Sequence, residues 1–274
     1  MKLKDCFWLW GQNAMSHQKS RSNASWKLPA GNKLEPVEGA EFLGIPNMCR
    51  VVMGGEPRPP FDAESEKMKV MRQVIYSAIG DAGSKRNNEQ PDTEEVIRQA
   101  ARYANVTGAI LDDFFKPAKG EKTQWARHPV EVVAGMHVRL QSAIPGKPLP
   151  LWAVWYKQQL EYPVDDYLRV FDGITYWNML APKEKNELRD DLDRMISRTP
   201  GKKRMTGCYI WNYGEGKPLA PDELKFECET YYDYLKAGKT EGIIFCSNCC
   251  ADVGGPAINF LRGWIREAGE EEIN

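Results

Sequence analysis

Two adjacent carboxylates, Asp112 and Asp113, directly follow an apolar run in the middle of the chain. Such a run is typical of a buried strand, which places the pair at the strand's end. Cleavage of a glycosidic bond needs one carboxyl group that protonates the leaving oxygen and a second that acts as nucleophile or as base toward water. Because side chains alternate along a strand, we expect Asp113 to face a ligand and Asp112 to support it. The alternative is that both only cap the strand end by bonding backbone amides.

A second carboxylate could come from several places in the chain. Glu215, in Tyr-Gly-Glu-Gly-Lys, is the best candidate for the second catalytic group, although a solvated turn residue would have the same sequence. Three competitors also follow predicted strands: Asp81, Glu161 and Asp252. We expect Asp81 and Glu161 to contact substrate.

Aromatic and amide side chains also collect where predicted strands end. Sugar rings pack their C–H faces on aromatic planes, and their hydroxyl groups need amide or carboxylate partners. The aromatic candidates are Trp10, Trp155, Tyr156, Tyr176, Trp177, Trp211 and Tyr213. The amide candidates are Asn13, Asn178, Asn212 and Asn248. Alternation implies that about half of the aromatic side chains point toward the helices instead, so the cluster indicates a sugar ligand better than any single residue does.

Short apolar runs alternate with longer helical stretches, as in parallel βα units. The predicted strands are 6–13, 48–54, 74–80, 108–115, 151–156, 173–178, 205–213 and 242–248. Eight such units in 274 residues predict one (β/α)8 barrel over residues 1–274, since these barrels need about 250 residues. In this fold the chemistry lies at the C-terminal ends of the strands. A doubly wound sheet is the alternative, but no Gly-x-Gly-x-x-Gly follows the first strand.

Three segments together resemble (β/α)8 glycoside hydrolases, without identifying one family. They are the Asp-Asp-Phe-Phe end of strand four, Trp-Ala-Val-Trp-Tyr of strand five and Trp-Asn-Tyr-Gly-Glu of strand seven. In many retaining enzymes of this kind the acid/base follows strand four and the nucleophile strand seven, so the resemblance implies those roles for Asp112 or Asp113 and for Glu215. The chain departs from the common Asn-Glu pair at strand four, because Asp112 and Asp113 stand there.

The remaining reactive residue types give weaker signals. Cys246, Cys249 and Cys250 resemble half of a metal or redox site, but the sequence has no second group of ligands at a matching spacing. Most cysteines fall in predicted strands, where they fill the core. The three histidines do not form a ligand set, so we expect no metal and no cofactor, although an Asp112/Asp113 oxygen site for Mg²⁺ or Ca²⁺ stays open. Lys157 could form a Schiff base, but a solvated lysine is the simpler interpretation.

Charge and hydropathy restrict the partners. With 37 basic and 38 acidic residues, the chain has no charge excess for nucleic acid, and no apolar run is long enough for a membrane span. The odd number of cysteines, seven, favours a reducing compartment, so we expect a soluble cytoplasmic protein, or an exported one if a signal was removed. The sequence leaves the oligomeric state open.

The sequence thus favours a glycoside hydrolase-like enzyme that acts on a sugar or oligosaccharide, with a strand-four Asp as general acid/base. One alternative is a carbohydrate-binding barrel without catalysis. The other is a metal-assisted lyase, aldolase or isomerase.

Overall fold

A computed structural model describes residues 1–117, 124–182 and 185–273. Their strands close into an all-parallel barrel in the order β1 to β8, which confirms the predicted (β/α)8 fold. The strands are β1 Phe7–Gly11, β2 Asn47–Arg50, β3 Gln73–Ile79, β4 Val106–Leu111, β5 Leu151–Tyr156, β6 Gly173–Trp177, β7 Lys203–Tyr209 and β8 Gly242–Cys246.

Helices surround the barrel and connect successive strands. The α-helices are α1 Ser16–Lys19, α2 Asn23–Trp26, α3 Pro36–Leu43, α4 Asp62–Met68, α5 Thr93–Arg102, α6 Val130–Ser142, α7 Asp165–Val170, α8 Lys185–Arg198, α9 Pro221–Lys236, α10 Asn248–Ala251 and α11 Pro256–Ala268. Short 3₁₀ helices span Leu3–Cys6, Lys85–Asn88 and Lys157–Gln159. Helices α1, α2 and α10 belong to the loops that follow β1 and β8, at the C-terminal face of the barrel. No helix among the described residues is both long and apolar enough to cross a bilayer.

Alternating side chains divide the core into two parts. One lies between the strands and the helices, and the other fills the inside of the barrel. The inner part is unusually aromatic, with Trp8, Trp10, Trp152 and Trp177 among its buried members. Glycines on neighbouring strands make room for these rings, since a Cβ on Gly207 would lie 2.0 Å from the ring of Trp177. The aromatic filling ends at the C-terminal face, where it forms the floor of a cavity.

Most strands end earlier than the sequence predicts. Strand β7 ends at Tyr209 and β4 ends at Leu111, whereas the predicted strands run to residues 213 and 115. The residues beyond these ends are still buried, Trp211 and Phe115 among them, which explains the longer prediction. A loop residue that is buried gives the same apolar pattern in a sequence as a strand residue that is buried under a helix.

Helix α9 covers β7 and buries a carboxyl group between them. Glu227 is 4% exposed, and its Oε2 accepts a hydrogen bond from the Cys208 thiol at 3.9 Å. Burial, with a smaller contribution from Glu223, raises the pKa of Glu227 from an ordinary value of 4.5 to about 8. Glu227 is therefore protonated in the folded protein at neutral pH.

Candidate active site

A cavity of about 950 Å³ opens at the C-terminal face of the barrel. Its floor consists of the upper inner residues of the barrel, including Trp10, Val154, Trp177 and Cys246. Its walls are loops that follow β1 to β7. The cavity therefore lies where (β/α)8 proteins place their chemistry.

Asp112 lies at the edge of this floor and is 6% exposed. It continues the inward-facing series of Ile110, and its backbone N–H donates to Ile79 O at 2.8 Å, which ties the end of β4 to β3. Its Oδ1 accepts the backbone N–H of Asp113 at 2.8 Å, while Oδ2 has no hydrogen-bond partner in the described part of the chain. Burial raises the pKa of Asp112 well above its usual value, and the charges of Asp113 and Asp81 raise it further. The surroundings of Asp112 thus favour its protonated form, and one of its oxygens is available to a ligand.

Asp113 also lines the cavity, because the strand has already ended at Leu111. Its φ of 42° lies in the left-handed region, which turns the chain and removes the alternation expected for a strand. Oδ1 of Asp113 accepts the hydroxyl of Tyr156 at 2.7 Å, and Oδ2 accepts the backbone N–H of Ala82 at 3.0 Å. The expectation that only one of the two aspartates reaches the mouth of the barrel is therefore corrected: both do.

Tyr156 ends β5 and brings a phenol to the aspartate pair. Burial raises its pKa well above 10, and Asp113 raises it further, so Tyr156 stays protonated and its hydroxyl donates a hydrogen bond to that carboxylate. Gln159 holds the segment in place, because its side chain accepts the Tyr156 N–H at 3.0 Å and donates to Phe115 O at 3.0 Å. The loops after β4 and β5 are thus fixed to each other next to the two aspartates.

Asp81 and Arg127 fix the loop after β3. Asp81 accepts the backbone N–H groups of Gly54 at 2.8 Å and Gly83 at 3.0 Å, and the Ser84 hydroxyl at 2.5 Å. Arg127 donates to backbone carbonyls of the loops after β3 and β4, including Asp81 O at 3.1 Å. Asp81 lines the cavity, but its oxygens are occupied by loop donors. We interpret it as a residue that shapes the cavity wall.

Three rings join the loop after β1 to the loop after β7. His17, Trp26 and Tyr213 contact one another edge to face, with centroids 5.2 to 5.3 Å apart, and all three line the cavity. The Tyr213 hydroxyl lies 2.7 Å from His17 Nδ1. Burial lowers the pKa of His17 to about 3, so the imidazole is neutral above that pH. The cluster is an uncharged aromatic wall.

Basic side chains line the outer part of the cavity. Lys19 and Arg21 come from the loop after β1, Lys85 from the loop after β3 and Lys116 from the loop after β4. Within residues 1–117, 124–182 and 185–273, none of these four side chains has an ion-pair or hydrogen-bond partner. We call these four residues the basic rim.

The structure brings together about half of the site residues that the sequence predicts. Those that line the cavity are Trp10, Asn13, Asp81, Asp112, Asp113, Tyr156, Trp177 and Tyr213. Asn13 accepts a hydrogen bond from Arg50 with its amide oxygen. Trp10 packs edge to face on Trp177, with ring centroids 5.0 Å apart.

Several other predicted residues lie outside the cavity. They are Trp155, Glu161, Tyr176, Asn178, Trp211, Asn212, Glu215 and Asn248. Trp155 and Tyr176 point toward the helices, as alternation requires next to Tyr156 and Trp177. Asn248 donates to Gln12 O and Leu34 O, at 2.8 and 2.7 Å, and joins loops.

Three candidates that follow β7 bond to loop residues and do not line the cavity: Trp211, Asn212 and Glu215. Glu215 is exposed, lies in the turn after β7 and pairs with Lys217 at 2.6 Å. Asn212 bonds to this same turn, accepting the Glu215 N–H at 3.0 Å. The Trp211 indole donates to Trp26 O at 2.8 Å. The structure therefore does not bring Glu215 to the aspartate pair.

The remaining alternatives from the sequence involve side chains that lie outside the cavity and already have partners. Glu161 pairs with Arg194 on the surface, and Asp252 binds the Lys33 N–H at 2.8 Å. Lys157 pairs with Glu187, and with Asp191 at 3.1 Å, so it is not placed for a Schiff base. In the described ranges, no three His, Cys, Asp or Glu side chains are grouped so that they could hold a metal ion.

Sequence reasoning missed several residues that line the cavity. Tyr209 faces inward at the end of β7 and contacts Trp177 and Tyr213, with centroids 5.1 and 5.0 Å apart. Its position would follow from alternation once the end of β7 is known. Trp26 ends helix α2 in the loop after β1, outside any predicted strand end.

The comparisons with known proteins concern the fold. No family model matches the chain, and no curated protein is significantly similar to it in sequence. A candidate alpha-L-fucosidase from Bacteroides thetaiotaomicron superposes with a TM-score of 0.62 at 11% identity, covering 96% of both chains. A GH10 endoxylanase from a sugarcane soil metagenome gives 0.55 at 12% identity, covering 89% of this chain and 87% of the other. A xylanase-alpha-amylase inhibitor protein, solved with trehalose, gives 0.52 at 14% identity and covers 96% of this chain and 98% of its own. The chain is thus similar in fold to (β/α)8 glycoside hydrolases.

Proposed function

We propose that this protein is a glycoside hydrolase-like enzyme that binds a sugar or oligosaccharide in the cavity and uses a strand-four aspartate as general acid/base. The observation that carries the proposal is Asp112, a buried carboxyl group that lines the cavity and whose Oδ2 has no hydrogen-bond partner among the described residues. Burial raises its pKa well above the usual value. A carboxyl group whose pKa is raised by burial is what protonation of a leaving oxygen needs near neutral pH.

In this proposal Asp112 gives its proton to the glycosidic oxygen while the bond to the anomeric carbon breaks. Water then supplies the hydroxyl group for the anomeric carbon and the proton that restores Asp112. The sequence alone favoured Asp113 as the acid. The structure favours Asp112, because both oxygens of Asp113 already accept hydrogen bonds.

Asp113 and Tyr156 act together in the proposal. The Asp113 carboxyl group lies beside the reaction centre and stabilises the positive charge that develops in an oxocarbenium-like transition state. Tyr156 fixes the direction of that carboxylate through the 2.7 Å hydrogen bond. Burial raises the pKa of Asp112, and Asp113 raises it further.

The aromatic floor supports a sugar ligand. Trp10 and Trp177 lie at the bottom of the cavity, and Tyr209 and Tyr213 lie beside them. Their rings offer apolar planes next to the carboxyl groups, as binding of a pyranose requires. The solved proteins of similar fold include a GH10 endoxylanase and a GH18 chitinase.

The test is hydrolysis of a broad glycoside panel by the wild-type protein and by Asp112→Asn. The variant keeps the shape of the side chain but has no transferable acid proton, so turnover should fall about 10²- to 10⁴-fold. Asp166→Asn, an exposed residue that pairs with Arg169, is the matched control. Full activity of a correctly folded Asp112→Asn protein would refute the assignment.

A carbohydrate-binding barrel without catalysis is the second candidate. It is favoured by the position of Glu215, which leaves the cavity without the strand-seven carboxylate of many retaining enzymes. The inhibitor protein solved with trehalose has a similar fold. Retained glycan binding without any hydrolysis product, in wild type as in Asp112→Asn, would support this second function.

A further inference from the structure

The basic rim concentrates positive charge at the outer part of the cavity. Its four side chains, Lys19, Arg21, Lys85 and Lys116, have no acidic partner within the described parts of the chain. They come from three loops that are far apart in sequence and meet only because the barrel closes. Their convergence on one cavity is therefore a property of the fold.

The acidic residues of the same cavity are already engaged. Asp81 accepts three loop donors, and Asp113 accepts Tyr156 and Ala82. Glu56 accepts a hydrogen bond from Arg58 at 3.1 Å.

Asp112 adds no charge when it holds its proton. Hydrogen-bond donors of the protein thus occupy the oxygens of Asp81 and Asp113 at the bottom of the cavity, whereas the four cations at its outer part have no acidic partner among the described residues.

From this charge distribution we infer that the ligand is an acidic saccharide, with a carboxylate or sulfate group that reaches the basic rim while a sugar ring lies on the aromatic floor. This inference rests on the proposed function. Lysine and arginine recognise both kinds of anion, and a cleft lined by one sign of charge raises the local concentration of an oppositely charged ligand. The chain as a whole has a formal net charge of −1, so attraction of anions is local to this cavity.

The experiment uses matched saccharide pairs that share a backbone and differ in one acidic group. One pair is a xylo-oligosaccharide with and without a glucuronic acid branch, and the other is N-acetyllactosamine with and without a 6-sulfate. Binding of the wild-type protein is measured by calorimetry at 20 and 200 mM NaCl. We expect the acidic member of at least one pair to bind more tightly, and its advantage to shrink at high salt. The pair that responds distinguishes carboxylate from sulfate.

The rim is then tested directly with Lys85→Gln/Lys116→Gln. The matched control is Lys33→Gln/Lys203→Gln, which removes two exposed lysines outside the cavity. Affinity for the acidic saccharide should fall about 2- to 30-fold in the rim variant and stay unchanged in the control. Affinity for the neutral partner should not change in either.

Two results would overturn the inference: no acidic member binds more tightly than its neutral partner, or the control loses as much affinity as the rim variant. Failure of the proposed function would look different. An acidic saccharide that binds at the rim but is never hydrolysed would leave the inference standing and refute catalysis. Hydrolysis of neutral glycosides alone would support catalysis and refute the inference of an acidic ligand.

Discussion

Replacement of Glu227 by glutamine should stabilise the protein increasingly as the pH rises. The folded protein holds this side chain protonated, with a pKa of about 8, whereas a glutamate in the unfolded chain has an ordinary pKa of 4.5. Below pH 4.5 both states are protonated, and the folded state keeps its full stability. As the pH rises from there, the unfolded state loses its proton and the folded one does not, so stability falls until the folded pKa is passed.

The size of the effect follows from the two pKa values. Since one pKa unit corresponds to about 1.4 kcal/mol, the wild-type protein should lose about 4 kcal/mol of unfolding free energy between pH 5 and pH 9 through this group. This is an upper value, because water that enters beside the ionised carboxylate would lower the cost of its burial. The neighbouring Cys208 and Tyr231 do not titrate in this range, because burial raises the pKa of each well above its usual value.

The assay is urea unfolding followed by tryptophan fluorescence at pH 5, 7 and 9. Any change in packing caused by Glu227→Gln is independent of pH, so the difference between variant and wild type should grow from pH 5 to pH 9. Glu229→Gln lies on the same helix, is exposed and pairs with Lys225, and should show no such growth. A constant difference across the three pH values would show that Glu227 ionises freely in the folded protein.

Three more predictions concern the cavity. Tyr156→Phe should lower the turnover of any glycoside substrate about 10- to 100-fold with little change in KM, because it removes the hydrogen bond to Asp113; steady-state kinetics would show this. Asp113→Asn should move the alkaline limb of the rate profile to lower pH, because loss of the neighbouring charge lowers the pKa of Asp112; an unmoved limb would assign that limb to another group. Gly207→Ala should destabilise the barrel by about 1–3 kcal/mol and weaken sugar binding, because its Cβ would meet the Trp177 ring at 2.0 Å; thermal unfolding and calorimetry would measure both.

The barrel could be predicted from the sequence because eight apolar runs alternate with helical stretches, and this repetition survives errors in any single element. The ends of the strands could not be predicted in the same way. Strand β7 stops at Tyr209, and the apolar residues beyond it are buried by loops. The sequence therefore predicts Trp211 at a strand end, although its indole donates a hydrogen bond to Trp26 O.

The site was predicted best where burial and charge coincide. Asp112 and Asp113 follow an apolar strand directly, and such a pair has few structural uses besides capping. Alternation alone could not choose between Trp155 and Tyr156, because the direction of one side chain must be known first. The basic rim could not be predicted from the sequence. Its four cations come together only in the folded barrel, and the overall charge of the chain is nearly balanced.

The positive φ of Asp113 restricts how this position can evolve. Glycine, asparagine and aspartate adopt the left-handed region most readily, and a β-branched residue would strain the turn that follows β4. Asparagine and glycine are each one base change away from aspartate. Homologues that keep this turn should therefore carry Asp, Asn or Gly at residue 113, whatever their ligand.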